Sequence, residues 1–123
     1  MTVIEHPPTV YLLKGCPFCL KLMIFLLEAG LIDRVKLVEA STPEEQNRIA
    51  DLLKNKTGKS SFPTAEIAPN QHLSDSDALV AHFAAAAGVD PETLIVYQNY
   101  LSGVFMTVTH LFRENIELKK RLG

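Results

Sequence analysis

Apolar and polar positions along this chain change period several times, and each change marks an element. Thr9–Lys14 (TVYLLK) is a short β-branched and aromatic run of the kind that forms a buried strand. Gly15-Cys16-Pro17 interrupts it. From Pro17 to Ala29, Phe18, Leu22, Phe25, Leu26 and Ala29 recur at helical spacing. Pro17 suits a first helical position because its missing N–H would have no partner there, and Gly30 supplies the stop. Arg34–Glu39 alternates with period two, as a second strand does. Thr42-Pro43-Glu44-Glu45 places a cap residue before acid in the first turn, opening a second helix to about Asn55. The turn Lys56-Thr57-Gly58 ends it. Phe62–Ile67 reads as a strand entered through a proline, and Pro69-Asn70-Gln71 as a hairpin turn. Ser74 or Asp75 caps a third helix through Ala87, stopped by Gly88. Asp90-Pro91-Glu92 then opens a last helix with room to reach Arg121.

The order is β-α-β-α, a β-hairpin, then two helices. Two strands joined through a helix imply a parallel pair with a right-handed crossover, and the hairpin adds antiparallel strands. An α/β domain with a mixed four-stranded sheet and helices on both faces is therefore expected. The one seam is Gly88-Val89-Asp90-Pro91, which divides residues 1–88 from an extension at 89–123. Leu94, Tyr97, Leu101, Val104, Phe105, Val108, Leu111 and Phe112 form a broad apolar stripe there, with Ile95, Tyr100 and Met106 beyond it. A helix of about thirty residues spans some 45 Å at 1.5 Å per residue, more than one face of a small domain. It either breaks near Ser102-Gly103 or packs its far part on another chain, so part core cover and part homodimer contact is expected.

Composition narrows the classes. In 123 residues one domain is natural, and 47% hydrophobic with 21% charged residues argues against disorder. A net charge of −2 leaves no footprint for nucleic acid or an anionic membrane. The Lys119-Lys120-Arg121 cluster fits the negative end of a helix dipole. Met1–Thr9 lacks the basic and apolar regions of a secretory signal, so the cytoplasm is the default compartment. Leu94–Phe112 is too interrupted, by Gln98, Asn99, Ser102, Thr107, Thr109 and His110, to be expected to cross a membrane.

Two cysteines three positions apart then supply the chemistry. A thiol at a helix N-cap faces unpaired N–H groups and the positive end of the macrodipole, which favours thiolate. Cys16 is so placed and is the expected nucleophile. Cys19, one turn inside, is the expected resolving thiol, kept protonated by its enclosure. Lys14 and Lys21 could add positive potential, but each reads first as a solvated surface lysine. The competing metal reading lacks ligands: His6, His72, His82 and His110 show no H-x₃₋₅-H pairing, and no metal is expected.

Gly15-Cys16-Pro17-Phe18-Cys19, Thr57-Gly58-Lys59-Ser60-Ser61-Phe62-Pro63 and Leu73-Ser74-Asp75-Ser76-Asp77-Ala78-Leu79 together resemble the glutaredoxin family and the N-terminal domain of glutathione transferases. The likeness covers roughly Thr9–Gly88 and implies a thioredoxin-like fold. It further implies glutathione as co-substrate and a redox-active disulfide. By it Pro63 is a cis-proline, and Phe62 presents its backbone to the cysteinyl part of glutathione. Asp75 and Ser76 receive the γ-glutamyl carboxylate, Lys59 is a candidate for the glycyl carboxylate, and Lys14, Pro17 and Phe18 border the site. Phe62 and Ser74-Asp75 stand where glutaredoxins carry Val and Gly-Gly, and the Leu-Ser-Asp-Ser run is closer to the transferases. The segment after Gly88 is shorter than a transferase C-terminal domain, so most of the hydrophobic substrate pocket is expected to be missing. That favours thiol exchange over conjugation.

The expected function is thus a glutathione-linked thiol-disulfide oxidoreductase acting on disulfide-containing proteins or small molecules. The alternatives are a non-catalytic transferase-like adaptor and a membrane-associating redox protein of the chloride-channel-like kind.

Overall fold

The structure, a computed structural model, describes residues 7–122. Met1–His6, which hold most of the segment read for a secretory signal together with His6, and Gly123 lie outside the described residues. Strands β1 (Thr9–Leu13), β2 (Lys36–Ala40), β3 (Thr64–Ala68) and β4 (Gln71–Ser74) form one sheet in the order β2-β1-β3-β4. β2 runs parallel to β1, whereas β3 is antiparallel to β1 and β4 to β3. Tyr11 lies opposite Val38 on one side and Thr64 on the other. This is the mixed sheet expected from the element order.

Period two in β1 splits the core. Val10 and Leu12 are fully buried on the face covered by α1 (Pro17–Glu28), α3 (Ser76–Ala87) and α4 (Ile95–Ser102). Phe25, Leu26, Leu79, Phe83 and Tyr97 fill that layer, with Phe25 and Tyr97 edge to face at 5.6 Å. On the opposite face Tyr11 and Val38 pack with Ile49 and Leu53 of α2 (Pro43–Thr57). α2 begins with a capping box: the Glu45 N–H donates to Thr42 Oγ1 at 3.2 Å, and the Thr42 N–H donates to Glu45 Oε1 at 3.3 Å.

The extension differs from the single helix expected. Asp90 does accept a bond from the Glu92 N–H, but Pro91–Thr93 is one 3₁₀ turn, and α4 starts only at Ile95. No side chain at the N-cap, Leu94, satisfies that start. Instead the Glu28 carboxylate, at the last residue of α1, accepts from the Val96 N–H at 2.9 Å and the Tyr97 N–H at 2.7 Å. A break at Gly103 then separates α4 from α5 (Val104–Leu122), in the place where the sequence allowed one. α5 packs chiefly on α4 and α1, and its exposed side keeps Met106, Leu111, Phe112 and Leu118 more than half accessible. No helix among the described residues is long and apolar enough to cross a membrane.

Candidate functional site

The site begins where β1 hands over to α1. Gly15, at a φ of 84°, makes the tight turn, and the Cys16 N–H donates to the Leu13 carbonyl at 3.2 Å. That turn leaves Cys16 at the N-cap of α1 with Pro17 first in the helix. Cys16 Sγ accepts from the Cys19 N–H at 3.4 Å, as an N-cap side chain accepts from the third helical residue. Cys19 Sγ in turn accepts from the Leu13 N–H at 3.3 Å, and the residue is only 1% exposed.

The two thiols are free and chemically unlike. Cys16 is held down to about 6, first by a hydrogen bond from the Cys19 thiol, then against the opposing effect of burial, and finally by the Cys19 and Phe18 N–H groups. Cys19 is pushed up, because its proton is the one shared with Cys16 and because burial disfavours its ionised form. The charges of Cys16 and Glu39 act in the same direction.

Two cavities meet the motif. The first, about 230 Å³, is lined by both cysteines, Pro17, Leu20, Met23 and Glu39, and is walled by Tyr100, Val104 and Val108 of the extension. Nothing in the sequence signals this wall, since Val104 and Val108 belong to a stripe that reads as core cover or dimer contact. Tyr100 lies off that stripe and carries no local signal of the contact either. Its hydroxyl donates to the Pro17 carbonyl at 2.8 Å. Phe105 stands edge-on to Phe18 at 5.4 Å and tilted against Tyr100 at 5.6 Å.

The second cavity, about 240 Å³, is lined by Phe18, Lys59, Ser61, Phe62, Pro63, Ser74, Asp75 and Ser76. Six residues expected at a glutathione site, Phe18, Lys59, Phe62, Pro63, Asp75 and Ser76, thus come together. The Phe62–Pro63 peptide is cis. Asp75 sits at the N-cap of α3 with a φ of 83° and no side-chain cap bond, a strained backbone for a non-glycine residue. Ser76 is buried behind it. The N-terminus of α3 therefore borders this cavity, and a helix N-terminus is an electrostatically favourable place for a carboxylate. Of the other residues expected here, Pro17 lines the first cavity and exposed Lys14 lines neither.

Lys21 corrects a reading. It is not a solvated surface lysine: only 4% of it is exposed, its ammonium is paired with Asp77 of α3, and it lies 5.2 Å from the Phe105 ring centroid. At helical spacing its position falls among the buried residues of α1, and the charge partner on α3 is what lets a lysine occupy it. Among the described residues, no three His, Cys, Asp or Glu side chains are grouped to hold a metal ion.

A four-stranded mixed sheet with a cysteine at the β1–α1 junction defines a thioredoxin-like domain. Residues 15–86, more than half of the chain, match the family model described as glutathione S-transferase, N-terminal domain, and the chain belongs to that family. Similar solved structures include a possible glutathione S-transferase from Rhodopseudomonas palustris, 21% identical with a TM-score of 0.56, covering 70% of this chain and 42% of its own. A transferase family member from Pseudomonas fluorescens Pf-5, solved with bound glutathione, is 21% identical with a TM-score of 0.54, covering 64% of this chain and 38% of its own. Oxidized glutaredoxin 2 from Chlamydomonas reinhardtii is 26% identical with a TM-score of 0.52, covering 76% of this chain and 81% of its own. The chain therefore spans about two fifths of those transferases' length and most of the glutaredoxin's. No curated protein matches the sequence.

Proposed function

We propose that the chain is a glutathione-linked thiol-disulfide oxidoreductase acting through Cys16 and Cys19. The observation that carries this reading is the inequality of the two thiols: one half-buried and acidic at a helix N-cap, the other enclosed and protonated one turn away. A simple binding module has no use for that inequality.

The Cys16 thiolate attacks one sulfur of a disulfide, and the other sulfur leaves as a thiolate that takes a proton from solvent. Two routes resolve the resulting mixed disulfide. In the first, Cys19 gives its proton to solvent and attacks Cys16 Sγ. The bound thiol leaves, and a Cys16–Cys19 disulfide remains for two glutathione molecules to reduce. In the second, when the bound group is glutathionyl, another glutathione thiolate attacks the glutathionyl sulfur. Oxidised glutathione leaves and the Cys16 thiolate returns. A low thiol pKa helps at both ends, because the same sulfur serves as nucleophile and as leaving group.

The second cavity supports glutathione as the co-substrate. In this reading Asp75, Ser76 and the N-terminus of α3 take the γ-glutamyl carboxylate, the Phe62 backbone takes the cysteinyl part, and Lys59 takes the glycyl end. Residues 1–88 carry the redox and glutathione functions, 89–123 act as an extension, and the compartment is cytoplasmic. The second reading, an adaptor that need not catalyse, draws on the exposed apolar side of α5, which would also serve a homodimer.

The test is glutathione-dependent reduction of a small mixed disulfide. Wild-type protein should turn over and Cys16→Ser should be inactive. Cys19→Ser should keep the glutathione-only route while losing reduction of protein disulfides. An inactive wild type sinks the enzyme reading in favour of the adaptor, and a Cys19→Ser as dead as Cys16→Ser removes the glutathione-only route.

A further inference from the structure

The two residues between the cysteines are both held by the extension: Tyr100 Oη donates to the Pro17 carbonyl at 2.8 Å, and Phe105 packs edge-on against Phe18 at 5.4 Å. The carbonyl of Pro17 and the N–H of Phe18 belong to one planar peptide group. With Cys16 at the N-cap, the Phe18 N–H is that of the second helical residue, one of the two donors an N-cap side chain uses. We propose that Tyr100 is a positioning residue for the redox pair. By donating to the Pro17 carbonyl it polarises the peptide group whose N–H, on Phe18, is the second-residue amide of the helix that Cys16 caps, next to the Cys19 N–H that Cys16 Sγ accepts, and so strengthens the cradle of the attacking thiolate.

Hydrogen bonds in series through one amide reinforce each other by roughly 10–30% per bond. The arrangement suits a site that must stabilise charge without admitting a cation beside the sulfur. The hydroxyl keeps its proton while Cys16 ionises, because burial first and the Cys16 charge second push Tyr100 upward. The other titratable groups on the walls of this cavity are Cys19 from α1 and Glu39 from β2. Lys21 of α1 and Asp77 of α3 pair with each other beside the Phe105 ring. None of these is altered by a change at position 100.

The inference rests on the proposed reading in taking Cys16 as the attacking thiol, yet its test needs no glutathione. The rate of Cys16 alkylation by iodoacetamide is followed against pH, with the site confirmed by peptide mass, for wild type, Tyr100→Phe and Phe105→Leu. Tyr100→Phe keeps the ring and removes only the donor. Its midpoint should move up by about 0.3 pH units, roughly a twofold loss of thiolate below the midpoint. Phe105→Leu trims the ring beside Phe18 while the Glu28 clasp keeps α4 and the Tyr100 hydroxyl in place, and should hold the wild-type midpoint. A Tyr100→Phe profile superimposed on wild type overturns the proposal. So does an equal shift in Phe105→Leu, which would trace the effect to packing rather than to the hydroxyl. Turnover with glutathione is scored separately, so its absence sinks the enzyme reading and leaves the alkylation result standing.

Discussion

Cys16 and Cys19 have the same side chain, and entry into α1 drives their protons in opposite directions. With Cys16 lowered from 9.0 to about 6, its alkylation rate should climb roughly tenfold per pH unit below that midpoint and flatten above it. Thiolate absorbance titrated from pH 4 to 9 checks this, and a single rise centred near the ordinary thiol range would refute it. The pair itself was legible because strand, Cys-Pro-Phe-Cys and apolar helix stand in contiguous sequence. So were Phe62-Pro63 and Asp75-Ser76, though only through resemblance, since nothing local says that a loop and a helix start share a cavity. Lys21, Asp77, Glu39 and Tyr100 were not legible. Each matters through a partner on another element, and sequence spacing carries no record of a contact between residues 21 and 77 or 17 and 100.

Elements with local punctuation were read within a few residues. Thr42 with Glu45 is the clearest, both halves of its capping box being present, so Thr42→Ala should destabilise the domain by about 1 kcal/mol. Urea unfolding followed by circular dichroism measures this, with an unchanged midpoint counting against it. The extension was harder. Asp90-Pro91-Glu92 carries a good helix-start signal and delivers only one 3₁₀ turn, whereas the true start of α4 borrows its cap from Glu28 on another helix. A cap supplied from sixty-eight and sixty-nine positions away leaves no local mark. The break at Gly103 had one, a glycine beside a serine in the middle of a long helical stripe.

For the whole molecule, the parallel β1–β2 pair followed from the β-α-β unit and the antiparallel strands from the hairpin, whereas the order β2-β1-β3-β4, with β1 and β3 inside, is what the structure adds. What the order cannot say is which apolar residues remain uncovered. Leu111 and Phe112 are 57% and 55% exposed on α5, so Leu111→Glu with Phe112→Glu should change the unfolding free energy by less than about 0.5 kcal/mol. If α5 is a homodimer contact, the same pair should reduce self-association in sedimentation velocity. A large loss of stability would show instead that this face is internal to the fold.

The extension touches α1 at both ends: Glu28 holds the start of α4, while Pro17 and Phe18 are met by Tyr100 and Phe105. The fold has in effect laid a calliper along α1, one jaw at the Cys16 end and the other at the tail. A calliper works only at a set opening. Adding or removing one residue between Tyr97 and Tyr100 turns the remainder of α4 by about 100°, which carries the phenol off the Pro17 carbonyl while the Glu28 jaw stays shut. Changes of length in the 88–90 segment disturb neither jaw. Drift in the length of this family member is therefore expected to collect ahead of the clasp, with the interval from residue 96 to residue 105 conserved in number even where its side chains change.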